Sequence, residues 1–210
     1  MIAGVDGMRG GWVVALWDGP ERVRWEFAAT AGEVLELTAE CERIGVDVPL
    51  GLDEDGYRAC DLAAREYLGE ARSSIFHAPV RAVLDAGDYA EACAISERIT
   101  GRKISKQTWF ITGKVQQWDA LPADERVVEV HPECSFRAMG VTASKKTATG
   151  VVQRICVLEG FVDPVLPPDL PRAATIDDVL DALAAAWSAL RHVEGGALPL
   201  GPGPRPTIWV

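Results

Sequence analysis

Apolar and polar positions along the chain fall into runs that mark most of the elements. Residues 2–6 are a short apolar run ending at Asp6, and Gly7-Met8-Arg9-Gly10-Gly11 is a turn signal. Trp12 to Trp17 is a second apolar run, closed by Asp18-Gly19-Pro20. Val23, Trp25 and Phe27 then alternate with Arg22, Arg24 and Glu26, the period of two that marks a half-buried strand. Three strands joined by tight turns predict an antiparallel meander. Thr30 and Glu33 have capping-box spacing, ahead of a helix with Val34, Leu35 and Leu37 on its apolar face. Ile44 to Val48 is another short strand. A helix leads into it, so it is expected to run parallel to the first.

From 51 to 125 strand signals are scarce, and helical patterns recur around 58–68, 79–86, 88–98 and 105–118. Val127-Val128-Glu129-Val130 restores the strand pattern and stops at His131-Pro132. A helix is predicted near 146–159, and Pro164, Pro167, Pro168 and Pro171 mark a linker-like loop. The last helix should run from Ile176 to about Val193, with Thr175 as its cap and Asp177 and Asp178 at the positive end of its dipole. The chain then turns rich in Gly and Pro and ends Thr207-Ile208-Trp209-Val210. This order predicts an α/β chain of the RNase H-like fold. It has a mixed central sheet, three parallel strands at its centre, a two-stranded antiparallel wing, and helices on both faces. Residues 1–210 form one such domain, and 51–125 is a helical insertion within it.

Composition narrows the class. At 210 residues with 48% hydrophobic and 25% charged positions, the chain can bury a core without disulfides or a structural metal. Its five cysteines, Cys41, Cys60, Cys93, Cys134 and Cys156, are scattered and form no C-x-x-C pair, which points to thiols in a reducing cytoplasm rather than a zinc site. Asp6 interrupts the apolar start before a signal peptide could form, and no apolar run is long enough to span a bilayer. A soluble cytoplasmic protein with no membrane partner is expected. The net charge of −10 repels polyanions, so a nucleic-acid substrate would require a local basic face, a bound cation, or both.

Candidate chemistry collects at strand ends. Asp6 and Asp47 each close an apolar strand, and parallel neighbours would deliver both carboxylates to one sheet edge, where open α/β sheets hold ligands. Glu129 ends a third strand, followed by His131 and Glu133. Asp178 and Asp181 are three apart and share a helix face, Asp181 among Leu180, Leu183, Ala184 and Trp187. Converging carboxylates repel one another unless a divalent cation binds, and hard oxygen ligands suit Mg²⁺ or Mn²⁺. Each acid also has a local alternative: Asp6 could begin a turn, Asp47 cap a loop, and Asp177 and Asp178 start a helix. The expected catalytic set is Asp6, Asp47, Glu129, Asp178 and Asp181, with Asp6, Asp47 and Asp181 as metal ligands.

Six segments together resemble a known family: Gly4-Val5-Asp6-Gly7, Gly10-Gly11-Trp12, Asp47-Val48-Pro49-Leu50-Gly51, Arg72-Ser73-Ser74-Ile75-Phe76, Glu129-Val130-His131-Pro132-Glu133 and Ser144-Lys145-Lys146-Thr147. They resemble the motifs of domain-of-unknown-function family 429, in that family's order and over nearly the whole chain. The resemblance implies an RNase H fold and a predicted nuclease activity. Asp178-Val179-Leu180-Asp181-Ala182-Leu183-Ala184 is also similar to the acidic C-terminal helix of RuvC-type junction resolvases. That likeness implies that both aspartates belong to a metal site whose other acids lie on the first and fourth strands, where Asp6 and Asp47 fall. The fourth-strand acid in those enzymes is usually Glu, and here it is Asp.

The insertion offers cations for a phosphate-bearing substrate. Arg58, Arg65, Arg72, Arg81, Lys106 and Lys114 fall within it, and Lys145 and Lys146 follow later. Arg65, Arg72, Lys145 and Lys146 are expected to bind substrate. The alternative is a solvated helical surface paired with Asp61, Glu66 and Glu70. The leading expectation is a metal-dependent nuclease or phosphodiesterase acting on nucleic acid or a small phosphodiester. Two alternatives stay open: an actin- or sugar-kinase-like phosphotransferase, whose first phosphate loop the Asp6-Gly7 and Gly10-Gly11 pairs resemble, and a binding module without catalysis.

Overall fold

The computed structural model describes residues 1–20, 23–163, 166, 174–203 and 206–210. Strands β1 (Ile2–Met8), β2 (Gly11–Trp17) and β3 (Val23–Ala28) form the antiparallel meander. Helix α1 (Ala31–Leu37) starts at Thr30, whose hydroxyl accepts the Glu33 amide, and leads into β4 (Arg43–Val46). Between β4 and β5 (Val127–Val130) the regular structure is all helical: α2 (Ala59–Leu68), two 3-10 turns at Gly69–Ser74 and Arg81–Asp85, α3 (Tyr89–Thr100) and α4 (Lys106–Asp119). Helices α5 (Pro132–Ala138), α6 (Ala148–Leu158) and α7 (Ile176–Val193) follow, then β6 (Pro199–Leu200) and β7 (Ile208–Trp209). The prolines at 164, 167, 168 and 171 lie outside the described residues.

The strands join in one mixed sheet in the order β3-β2-β1-β4-β5-β7-β6. β1, β4, β5 and β7 are parallel, so the parallel centre has four strands rather than the expected three. The extra strand comes from the C-terminal segment: two residues of β7 pair with Glu129 and Val130, and β6 folds back on it antiparallel. α5 was also not expected. Pro132 occupies its first turn, where a missing N–H costs nothing, so the residue that seemed to stop a strand also starts a helix.

The sheet has helices on both faces. On one, Val5, Trp12, Val14, Ile44 and Val46 pack against Val34 of α1 and Val115 and Trp118 of α4. On the other, Val13 and Ala15 meet Leu180, Ala182, Leu183 and Ala186 of α7, with Phe136, Leu158 and Phe161 beyond. Alternate residues of each strand therefore serve opposite cores, as the two-residue period requires. α7 lies close on the sheet because the strand positions beneath it are glycines. A Cβ at Gly4 would come within 2.0 Å of the Ala182 carbonyl oxygen, and one at Gly45 within 2.4 Å of that of Ala185. Among the described residues no helix is long and apolar enough to cross a membrane.

Candidate functional site

Strand register places the first two carboxylates. β1 and β4 pair in parallel through Val5 and Val46, and the ladder runs one step further, with the Asp47 amide donating to the Val5 carbonyl at 3.0 Å. Asp6 and Asp47 therefore occupy the next step of neighbouring strands, on the same face as Gly4 and Gly45, which is the face α7 covers. Asp181 comes down from α7, one residue before the Ala182 carbonyl that abuts Gly4. All three line a cavity of about 600 Å³ at this end of the sheet.

Burial and neighbouring charge raise the proton affinity of all three acids. Loss of water is the largest cause at Asp6, followed by the charges of Asp47, Asp181 and Asp178, and its carboxyl sits well above the usual range. Asp47 is raised likewise by burial and then by Asp181, with Lys145 pulling the other way. Asp181 is pushed up to about 7, mainly by burial, against the opposing pull of Lys145. The Lys145 ammonium lies 2.7 Å from Asp177 Oδ2 and 3.1 Å from Asp181 Oδ2. Asp181 is only 6% exposed, and its other oxygen, Oδ1, is buried without a hydrogen-bond partner. A buried carboxylate oxygen without a donor is costly, and a cation is one group that would satisfy it.

Glu129 lies on the opposite face. It pairs in register with Val46, one step before Asp47, so the alternation of the strand turns it away from α7. There Arg58 takes both its oxygens, at 2.8 Å from NH1 to Oε2 and 2.7 Å from NH2 to Oε1, and the Leu50 amide donates to Oε2. Asp61 completes the network, receiving Arg58 at 2.5 Å and the Ala78 amide at 2.8 Å. Cys60, Asp61 and Glu129 form a buried group whose ligand atoms lie within 4.8 Å of one another, a spacing that could hold a metal ion. Among the described residues it is the only group of three that tight, so Asp6, Asp47 and Asp181 share the cavity with wider spacing than this. The guanidinium of Arg58, however, already stands between Asp61 and Glu129 as their cation. Burial also holds the Cys60 thiol protonated, with its pKa pushed up to about 12. A metal would have to displace Arg58 to enter.

The remaining expected residues divide sharply. Lys145 and Lys146 line the cavity. Asp178 is spent as the third residue of the α7 capping box, its Oδ2 accepting the Thr175 amide at 2.7 Å, and does not line the cavity, although its charge is felt at Asp6. Arg65 and Arg72 do not line it either. Arg65 donates to the carbonyls of Arg72 and Ile75 and so closes the 3-10 turn that links them. Arg81 pairs with Glu54 and Asp119, as the solvated-surface alternative supposed.

Three further cavity residues, Lys114, His131 and Arg154, lie outside the expected catalytic and substrate-binding set. Lys114 reaches from α4 to the Gly11 carbonyl at 2.5 Å and lies 4.3 Å from the Trp12 ring centre, beside Asp6. His131 has its pKa lowered to about 4, by burial first and then by Lys145, so it is a neutral imidazole at pH 7, and its Nδ1 has no partner. Arg154, fully buried on α6, grips both oxygens of Glu133 at 2.9 and 3.0 Å. The bases Arg58, Lys114, Arg137, Lys145, Lys146 and Arg154 thus line the cavity in the same number as the acids Asp6, Asp47, Asp61, Glu129, Glu133 and Asp181. The site is locally balanced inside a chain of net charge −10.

No curated protein and no solved structure matches the chain. A family model described as protein of unknown function (DUF429) matches residues 4–205, which takes in β1 from Gly4, β2 to β6, and every cavity residue but Ile208. With the matched span covering both aspartate-bearing strands, the insertion and the α7 carboxylate, the chain belongs to the DUF429 family.

Proposed function

We propose that this chain is a metal-dependent phosphodiester hydrolase with an RNase H-like core, in which Asp6, Asp47 and Asp181 hold Mg²⁺ or Mn²⁺. The observation that carries the reading is the convergence of three aspartates, two from one step of parallel strands and one from α7, around a buried carboxylate oxygen without a donor. The strand order β3-β2-β1-β4-β5, with its antiparallel meander and parallel centre, supports the RNase H-like core. The donor set is all oxygen and fits a hard divalent cation. Such a cation supplies an activated water and offsets charge on the leaving oxygen.

The chain's own residues do the rest. Lys145 and Lys146 line the same cavity and would meet phosphate oxygens. Lys114, packed over Trp12, offsets the charge of Asp6 from behind. His131 stays neutral at pH 7, so it can exchange a hydrogen bond without adding charge. The Arg58–Glu129–Asp61 network braces the end of β5 against the insertion, and Glu129 acts through it as a positioning residue. Lys114 also engages the Gly7–Gly11 hairpin that would serve a phosphotransferase as its phosphate loop.

The test is Mn²⁺ binding and Mn²⁺-dependent cleavage of an activated phosphodiester by wild type and Asp6→Asn. Asp6→Asn should keep the fold, judged by circular dichroism, and lose both metal binding and cleavage. Cleavage at the wild-type rate by the purified variant would refute the assignment.

A further inference from the structure

Resting on that reading, we infer that the substrate is a nucleotide-sized phosphodiester, of dinucleotide scale, taken whole into the cavity rather than a long strand or duplex laid across it. The volume of about 600 Å³ falls among pockets that bury most of a small ligand. Its lining comes both from the insertion, through Ser73 and Phe76, and from the segment before α6, through Lys145 and Lys146, as well as from the three aspartates. A duplex needs an open groove along which phosphates can be followed, whereas this lining gathers distant segments around one volume of ligand size.

Charge leads to the same substrate. Arg58 and Arg154 are neutralised by Glu129, Asp61 and Glu133, so they add no net attraction. Lys145 is shared with Asp177 and Asp181. Lys114, Arg137 and Lys146 line the cavity with no ion pair among the described residues. Three cations match one or two phosphates. A polymer track would need many more, against a chain carrying −10.

The wall also offers an apolar face. Phe76 lines the cavity while 43% exposed, so part of its ring is open to a ligand there. A nucleobase stacked on it would cover that ring, and stacking of this kind tolerates any base.

The experiment measures binding of a fluorescent 5′-phosphorylated dinucleotide, a single-stranded 20-mer and a duplex 20-mer to the wild-type chain in Ca²⁺, over a salt series. Cleavage of each is then followed in Mn²⁺. The dinucleotide should bind at least tenfold more tightly than the duplex. Its log–log salt slope should lie between about −0.7 and −2, the value for one to three phosphates. Phe76→Ala should weaken the dinucleotide roughly tenfold, within the range for a lost base stack, and leave an abasic analogue unchanged. A duplex or long strand that binds as tightly as the dinucleotide, with a slope steeper than about −4, overturns the inference and leaves metal-dependent hydrolysis standing. Failure of the dinucleotide to bind also overturns it. A dinucleotide that binds but is not cleaved in Mn²⁺ upholds the inference and refutes the hydrolase.

Discussion

Replacing Gly4 by alanine tests fold and site together. The added methyl would lie 2.0 Å from the Ala182 oxygen, 2.3 Å from the Ala186 nitrogen and 2.8 Å from the Ala186 methyl. Carbon contacts settle near 3.5 Å, so α7 would have to withdraw by about 1.5 Å. No rotamer change can relieve the clash, because the two nearest atoms are helix backbone. Overpacking of a tight core costs about 1–3 kcal/mol, and the rigidity of this contact places Gly4→Ala at about 3 kcal/mol or above. For a chain of this size that lowers the melting temperature by about 6–12 °C. Asp181 immediately precedes Ala182, so a variant that folds should also bind Mn²⁺ more weakly. Gly113→Ala is the matched control. Gly113 is exposed on α4 with nothing within 4 Å of its missing Cβ, and alanine there should stabilise by about 0.5–1 kcal/mol. Thermal and urea unfolding of both variants give the comparison. A Gly4→Ala protein within about 0.5 kcal/mol of wild type would refute the close seating of α7 and the placement of Asp181 that depends on it.

Three further expectations follow from named contacts. Arg58→Ala leaves Glu129 and Asp61 buried without a cation and should cost about 3–5 kcal/mol in urea unfolding, while a chelator should leave the stability of wild type and Cys60→Ser alike; metal released by Cys60→Ser would show that Cys60, Asp61 and Glu129 hold an ion after all. Asp6, Asp47 and Asp181 have folded pKa values above their unfolded ones, so their contribution to stability is full below about pH 4 and is lost as pH rises through the folded values, about 7 for Asp181. In a chelator the melting temperature should therefore fall between pH 5.5 and 8, Mn²⁺ should restore more of it at pH 8, and Asp181→Asn should flatten the profile; a wild-type profile as flat as the variant's would refute the coupling. Lys145→Ala removes a partly exposed cation from Asp181, so Mn²⁺ should bind about fivefold more tightly by calorimetry, equivalent to about 1 kcal/mol; weaker binding would mean that Lys145 orders the site instead of competing for it.

The parts of this molecule that can be read from its sequence are those decided by local periodicity. The predicted helices near 88–98 and 105–118 correspond to α3 and α4, each begun by a side-chain cap at Asp88 and Ser105. The strand predicted from Ile44 to Val48 is present as β4 but ends at Val46, just before Asp47 and Pro49. The C-terminal strands carry no such mark. β6 and β7 are two residues each, too short for a period of two to register, and they exist because an edge of β5 was free to be paired. The two roles of arginine were equally hidden. Arg58 and Arg65 are alike in sequence, both on or beside α2 among acids, yet one is a buried clamp and the other closes a turn.

Glu129 shows where the limit lies. Like Asp6 and Asp47, it stands at the acidic end of an apolar run in the sequence, and that likeness placed it with them as a candidate. Its side chain depends on something no single strand contains: the register between strands. Had β5 paired one residue further along β4, Glu129 would stand level with Asp47 and face α7 as a fourth acid beside Asp181. With Val46 opposite Glu129, it faces the insertion, and Arg58 meets it there. A one-residue difference in register thus separates a fourth member of the aspartate cluster from an acid already paired with Arg58. The same register gives the α7 face Val130 at the step of Asp47, packed with Val128 against Ala185 of α7. That face is therefore acidic where β1 meets β4 and apolar where β5 joins them.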